Sequence, residues 1–271
     1  MPLELTLYQV DAFAEGVFTG NPAAVVPLGS WLPDATLQAI AMENNLSETA
    51  FFVPLRPDEN SETVYHLRWF TPTFEIDLCG HATLASAHVI LNEMAGELGH
   101  KGQRVRFTTQ SGELSVEREG NLLVMDFPAW PGKPIAVTES MTRSFGLRPL
   151  EAHAGRDLLA VFADEEAVRG LNPNLHYLLN LPYVCIIATA PGKGHDFVCR
   201  VFSPEIGLTE DPVTGSAQCI LAPYWAERLG RTRLHSFQAS RRGGKVRSEL
   251  VGDRVRIAGS SALYMRATIF V

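Results

Sequence analysis

Three short segments gather residues able to move a proton or to hold a small anion. In the first, Asn44-Asn45-Leu46-Ser47-Glu48-Thr49, a carboxyl group sits between a helical pattern and a strand pattern, just ahead of the apolar Ala50-Phe51-Phe52. Apolar shielding raises a carboxyl pKa and lets the group exchange protons near neutrality. An exposed turn glutamate would have the same sequence. The second, Asp77-Leu78-Cys79-Gly80-His81-Ala82-Thr83, opens an apolar helical stretch. Glycine there permits close backbone approach to a ligand, the free N–H groups of a helix start suit a carboxylate, and His81 can relay a proton. A capping turn with a backbone-bonded histidine is the competing reading. The third, Glu210-Asp211-Pro212-Val213-Thr214-Gly215-Ser216-Ala217, brings an acid, a hydroxyl and a glycine to another helix start. It reads either as a capping motif or as the second half of a site for a small carboxylate, neutralised without a metal.

Other templates fail. There is no GxxxxGK[ST] loop, and Gly243-Gly244-Lys245 lies between two strand patterns, where a hairpin turn is expected. No G-x-S-x-G elbow and no H-E-x-x-H helix is present. Cys79 and His81 are followed by no further ligands at a recognised metal spacing, so no metal is expected. His195 and Cys199 are four apart in a strand pattern and receive no role.

The elements that must position these residues are mostly strands. Short apolar runs such as Thr6–Asp11, Ala23–Val26, Thr49–Pro54, Tyr65–Phe70, Phe197–Phe202 and Leu234–Gln238 recur along the chain. In Arg254-Val255-Arg256-Ile257, charged and apolar residues alternate between faces. Helical patterns are few: Pro33–Glu43, His81–Leu91 and Gly215–Leu229, the last expected to kink or break at Pro223. The latter two are apolar on most faces and should be buried on most faces. The halves also echo each other, Phe70-Thr71-Pro72 with Glu75-Ile76 against Phe202-Ser203-Pro204 with Glu205-Ile206. The predicted class is α+β: two similar lobes, each a curled, mostly antiparallel sheet wrapped around a central helix. The N-terminal lobe is placed at residues 1–112, with a C-terminal strand at 263–271 available to complete it, and the C-terminal lobe at 113–262. The stretch Ser111–Glu119 reads as the crossover, with the site in the cleft between lobes.

Composition excludes several function classes. The 271 residues carry a net charge of −7, so neither nucleic acid nor an anionic membrane surface is an expected partner. The basic cluster from Arg228 to Arg247 reads as a solvated helix end and hairpin. No apolar run approaches the roughly 20 residues needed to span a bilayer, and the N-terminus lacks signal-peptide character. Cys79, Cys185, Cys199 and Cys219 are scattered without a CxxC pair, the pattern of a reducing compartment. A cytoplasmic protein is expected.

Taken together the motifs resemble the PhzF-like (phenazine-biosynthesis-like) family, which shares the diaminopimelate epimerase fold. The matching pieces are Asp11-Ala12-Phe13, Thr19-Gly20-Asn21-Pro22-Ala23-Ala24-Val25-Val26, Asn45-Leu46-Ser47-Glu48-Thr49 and Arg68-Trp69-Phe70-Thr71-Pro72. Then follow Glu75 to Thr83, Arg200-Val201-Phe202 and Glu210 to Ala217, in the family's order. The resemblance implies two lobes with the site between them, no cofactor, a small carboxylate-bearing substrate and frequently a homodimer. It implies that Glu48 moves a proton between substrate carbons and that His81, Asp211 and Ser216 assist. Ser47, Gly80, Thr214 and Gly215, in the same motifs, are the candidate substrate contacts. Cys79 and Ala82 depart from the phenazine enzyme's own pattern, which leaves the substrate open.

The expected function is a cofactor-independent isomerase. A second reading is an amino-acid or imino-acid racemase or epimerase using two thiols, for which Cys79 supplies one, while Thr214 stands where the other belongs. A third is a non-catalytic small-molecule-binding protein on this scaffold.

Overall fold

In the computed structural model, which describes residues 2–55, 63–204 and 208–271, strands predominate and helices are few. Two units emerge: Met1–Asp126 with Ala258–Val271, and Phe127–Ile257.

The first unit begins with β1 (Glu4–Ala12) and β2 (Asn21–Pro27), which pair antiparallel. The turn between them needs Gly20: its φ is +66° and a Cβ there would lie 2.2 Å from the Ala12 carbonyl oxygen. Helix α1 (Asp34–Asn44) starts after Pro33 and ends at Asn45 in the left-handed region. Strands β3 (Glu48–Pro54), β4 (Val64–Phe70) and β5 (Glu75–Ile76) follow, then helix α2 (Gly80–His88). β3 lies parallel to β2 and antiparallel to β4. Every residue of α2 is buried, and the helix packs against β1, β2 and β3. At Val89–Glu93 the coil widens into a π turn, so the expected helix to Leu91 changes its hydrogen bonding after His88.

Strands β6 (Arg104–Thr109), β7 (Gly112–Glu119) and β8 (Leu122–Pro128) form an antiparallel meander, with β6 parallel to β4. Ser111–Glu119 is therefore mostly strand within the first unit rather than a crossover. The chain changes unit at Asp126/Phe127, later than 112/113, because β7 and β8 continue the ladder that β6 begins. The C-terminal strand Ser261–Phe270 pairs along all of β1.

The second unit holds β9 (Lys133–Ile135), α3 (Glu139–Phe145), β10 (Glu151–Ala154), β11 (Leu158–Val161), α4 (Glu165–Gly170) and α5 (Leu175–Leu178). It continues through β12 (Ile186–Pro191), β13 (Phe197–Ser203), β14 (Leu208–Asp211), α6 (Gln218–Leu229), β15 (Arg233–Gln238), β16 (Gly244–Val251) and most of β17 (Arg254–Gly259), whose last two residues fall in the first unit. β13 is central, pairing antiparallel with β12 and parallel with β15. Phe145, Phe162, Ile186 and Phe202 build its core. The three short helices are each capped by a side chain, Thr138, Asp164 or Asn174.

Helix α6 runs through Pro223 without the break that is one of the two expected outcomes. Proline cannot donate to the carbonyl of Cys219 four residues back, and that oxygen instead accepts the Trp130 N–H at 2.8 Å. The helix also starts later than Gly215, because the bonds from Gln218, Cys219 and Ile220 reach back three residues in a tight first turn. The Glu205-Ile206 part of the sequence echo lies outside the described residues. Among the described residues, no helix is long and apolar enough to cross a membrane.

Candidate active site

Glu48 owes its position to the way α1 ends. Asn45 takes φ 49° and donates its N–H back to the Ala41 carbonyl, turning the chain out of the helix. After Leu46 and the half-buried Ser47, Glu48 is the first residue of β3, opposite Ala23 of β2. Asn44 reinforces the bend by donating to Thr49 Oγ1 at 3.1 Å. Glu48 is only 4% exposed, so the alternative of an exposed turn glutamate does not hold.

Cys79 and His81 are fixed by the start of α2. Cys79, extended at φ −145°, precedes the helix, and its carbonyl accepts both the N–H and the hydroxyl of Thr83. Gly80 is buried at the first helical position. His81, 5% exposed, points its Nε2 to within 3.0 Å of Glu48 Oε2. The approach is an ion-pair contact out of line for a hydrogen bond, and neither atom has another hydrogen-bond partner. On the other side of the ring, Nδ1 lies 3.5 Å from Cys79 Sγ. The backbone-bonded histidine anticipated as an alternative is thus replaced by an imidazole between a carboxyl group and a thiol.

Electrostatics follow from this packing. Burial alone would lower the His81 pKa, but Cys79 and Glu48 beside it prevail and raise it well above the usual imidazole value. Burial, reinforced by Glu48, pushes the Cys79 thiol up to about 11, so it stays protonated at neutral pH. The arrangement sets a carboxyl group against a positively charged imidazole, screened from water, with a neutral thiol on the other side of the ring.

The residues expected from the third motif form a separate cluster in the second unit. Asp211 ends β14 and is buried, as are Thr214 and Gly215. Thr214 Oγ1 donates to Asp211 Oδ2. Ser216 is half-buried. The cluster is organised by a residue the sequence reading missed, Gln238 at the end of β15, which is 0% exposed. Its Oε1 accepts the Thr214 N–H at 2.8 Å, and its Nε2 donates to the Asp211 carbonyl at 2.7 Å and to Thr214 Oγ1 at 3.2 Å. The available signal was a glutamine at an inward position of an alternating strand, in step with buried Leu234 and Ser236.

Ahead of each cluster stands the same ion pair. In the first unit Arg68 of β4 grips Glu75 of β5 with two bonds of 2.7 Å and lies 5.1 Å from the Phe70 ring centre. In the second, Arg200 of β13 grips Glu210 of β14 at 2.7 and 2.9 Å and lies 5.2 Å from the Phe202 ring centre. The motif pieces around Arg68 and Arg200 therefore serve to tie the strand leading to each cluster.

Comparisons with known proteins agree with these motifs. The family model described as "Phenazine biosynthesis-like protein" matches residues 10–267. An "uncharacterized isomerase" of Pseudomonas aeruginosa is 49% identical, covering 98% of this chain and 99% of the relative. A crystal structure of a PhzF-family protein from Enterococcus faecalis superposes with a TM-score of 0.94 at 43% identity, covering 99% of this chain and all of the other. A hydroxyproline epimerase from Agrobacterium vitis, at 12% identity and a TM-score of 0.63 over all of this chain and 94% of that one, shares the fold. The protein is thus a member of the phenazine biosynthesis-like (PhzF-like) family of isomerases.

Proposed function

We propose that the protein shifts a proton between carbons of a small carboxylate-bearing substrate, with Glu48 as the group that carries it. The observation that supports this most is the buried contact of Glu48 Oε2 with His81 Nε2 at 3.0 Å. The Glu48 carboxylate takes a proton from an acidic C–H, and the electron pair left behind spreads into the adjoining π system. The same group returns the proton at a second carbon, so one acid–base residue suffices and the reaction as written calls on no cofactor. His81, with its raised pKa, presents a positive ring to Glu48, and the burial of both side chains keeps water from serving as an alternative base. The family resemblance assigns Asp211 and Ser216 to the same substrate, and Ser47, Gly80, Thr214 and Gly215 to its binding. We carry both assignments into the proposal, together with two similar lobes flanking the substrate. The matched Arg68–Glu75 and Arg200–Glu210 pairs support a duplicated design.

One observation favours a racemase or epimerase instead, namely Cys79 Sγ at 3.5 Å from His81 Nδ1. Against it, Thr214 occupies the second thiol's position, and Cys219 is fully buried on α6 with its pKa pushed up to about 12 by burial.

Proton NMR in deuterated water tests these readings, with dihydro-hydroxyanthranilate, diaminopimelate and proline derivatives as the panel. Deuterium entering one compound with a rearranged product, lost in Glu48→Gln and kept in Cys79→Ser, supports the isomerase. Exchange lost in Cys79→Ser favours the racemase, and full activity of Glu48→Gln overturns the role of Glu48.

A further inference from the structure

Glu48, Cys79 and His81 present the donor atoms of a metal site, and we propose that they bind one soft divalent ion of the Zn²⁺ type, which blocks the proton-moving pair. The donor set is a carboxylate oxygen, a sulfur and an imidazole nitrogen, the combination that zinc takes in proteins. One ligand atom from each residue lies within 4.8 Å of the others, and all three residues are buried. Among the described residues this is the one such group of three.

One separation already matches two ligands of a single ion, at a length that a thiol–imidazole hydrogen bond shares. Two ligands held about 2.0 and 2.3 Å from a tetrahedral zinc are about 3.5 Å apart. His81 Nδ1 and Cys79 Sγ are separated by 3.5 Å. Glu48 Oε2 is buried without a hydrogen-bond partner, so turning it from His81 Nε2 toward the ion breaks no hydrogen bond of that atom. Cys79 and His81 are fixed by the start of α2 and Glu48 by the first ladder position of β3. The backbone therefore fixes where the three donors start from, and only the Glu48 side chain has to turn before the ion is held.

When the ion binds, the Cys79 S–H bond and the Nδ1–H bond of the positively charged His81 ring both break, and the two protons leave to solvent. The sulfur, the ring nitrogen and a carboxylate oxygen each donate an electron pair, and nothing is oxidised or reduced. Three protein ligands leave a fourth tetrahedral position for water or for a carboxylate. Binding of the ion stands on the geometry alone. Loss of turnover on binding rests on the isomerase reading, because it requires the Glu48 oxygen that would take the substrate proton.

Co²⁺, a spectroscopically visible ion of zinc-like geometry, is the probe. It is titrated into the reduced protein in a non-chelating buffer, with circular dichroism confirming the fold of each variant. The expected result is one equivalent bound, with near-ultraviolet sulfur-to-cobalt charge transfer, visible bands of four-coordination and displacement by Zn²⁺. Cys79→Ser should abolish the charge-transfer band, and Glu48→Gln and His81→Asn should each weaken binding by about tenfold or more. No charge-transfer band with the wild type, or a band that persists in Cys79→Ser, would overturn the site. These readouts need no substrate, so the metal site and the isomerase reading fail independently.

Discussion

The Nε2 atom of His81 and the Oε2 atom of Glu48 meet at 3.0 Å inside the first unit, with side chains 7% and 5% exposed. At that burial both the geometry of the pair and its charge govern its chemistry. Glu48→Asp keeps the carboxyl group but withdraws it by one methylene, and a displacement of that size lowers turnover by about 100-fold. His81→Asn keeps a hydrogen-bond donor but removes the raised-pKa ring, with a loss on the order of 100-fold or more. Both are read as the rate of deuterium incorporation into whichever panel compound turns over. Wild-type rates in Glu48→Asp would show that the position of the carboxyl does not matter.

Gln238 supports the second cluster from a distance of 24 residues in sequence, through three hydrogen bonds to Asp211 and Thr214. Gln238→Leu leaves the Thr214 N–H and the Asp211 carbonyl without those partners in a buried setting. Two such groups cost about 3 kcal/mol, measurable as a lower urea midpoint with an unchanged slope. A stability equal to wild type would show that the cluster holds itself together without Gln238.

Much of each cluster was legible in the sequence because each is built from local signals. Asn45 ends a helix, glycine and histidine open an apolar one, and an acid and a threonine three apart form a turn, so Glu48, His81, Asp211 and Thr214 can be read as candidates from short motifs. Gln238 shows only as a glutamine at an inward strand position, because its partners are set by the parallel pairing of β13 with β15, which no local pattern encodes. The contact of Cys79 with His81 was open to inspection two residues apart, but its direction depends on the extended backbone at Cys79. The course of α6 through Pro223 depended on Trp130 reaching the Cys219 carbonyl from far along the chain. The helices capped by Thr138, Asp164 and Asn174 span too few residues to show a 3.6-residue period, although their caps were visible. The boundary near residue 126 was hidden because β7 and β8 read equally well as strands of either unit.

The paired arginines make a comparative prediction. Arg68 and Arg200 each hold a glutamate with two parallel bonds, partly shielded from water. Lysine keeps the charge but cannot make the planar two-bond grip. Arg68→Lys and Arg200→Lys should each lower stability by about 1 kcal/mol, and by similar amounts, since the two grips share their geometry. Denaturant titration of both variants checks this. A large loss for one and none for the other would show that the resemblance between the pairs is not energetic.

His88 gives the fold a pH dependence with a definite sign. Its Nδ1 accepts from Asn92 at 3.0 Å and meets Ser261 Oγ at 2.7 Å, an arrangement that suits the neutral ring. The charged groups facing it are Arg118, which donates to Asn92 Oδ1, and Glu93, whose Oε1 is 3.6 Å from Nε2. Burial, helped by Arg118, lowers the pKa from 6.5 to about 4. The unfolded chain therefore takes up a proton near pH 6.5 that the fold refuses until about pH 4. Over that window the unfolded state binds more protons, so stability rises with pH and is lost as pH falls. The shift corresponds to about 3 kcal/mol between pH 6.5 and 4. Urea unfolding at a series of pH values in that range, on wild type and His88→Gln, measures it. The variant should lose stability less steeply on acidification, and parallel curves for the two proteins would show that His88 is not the group responsible.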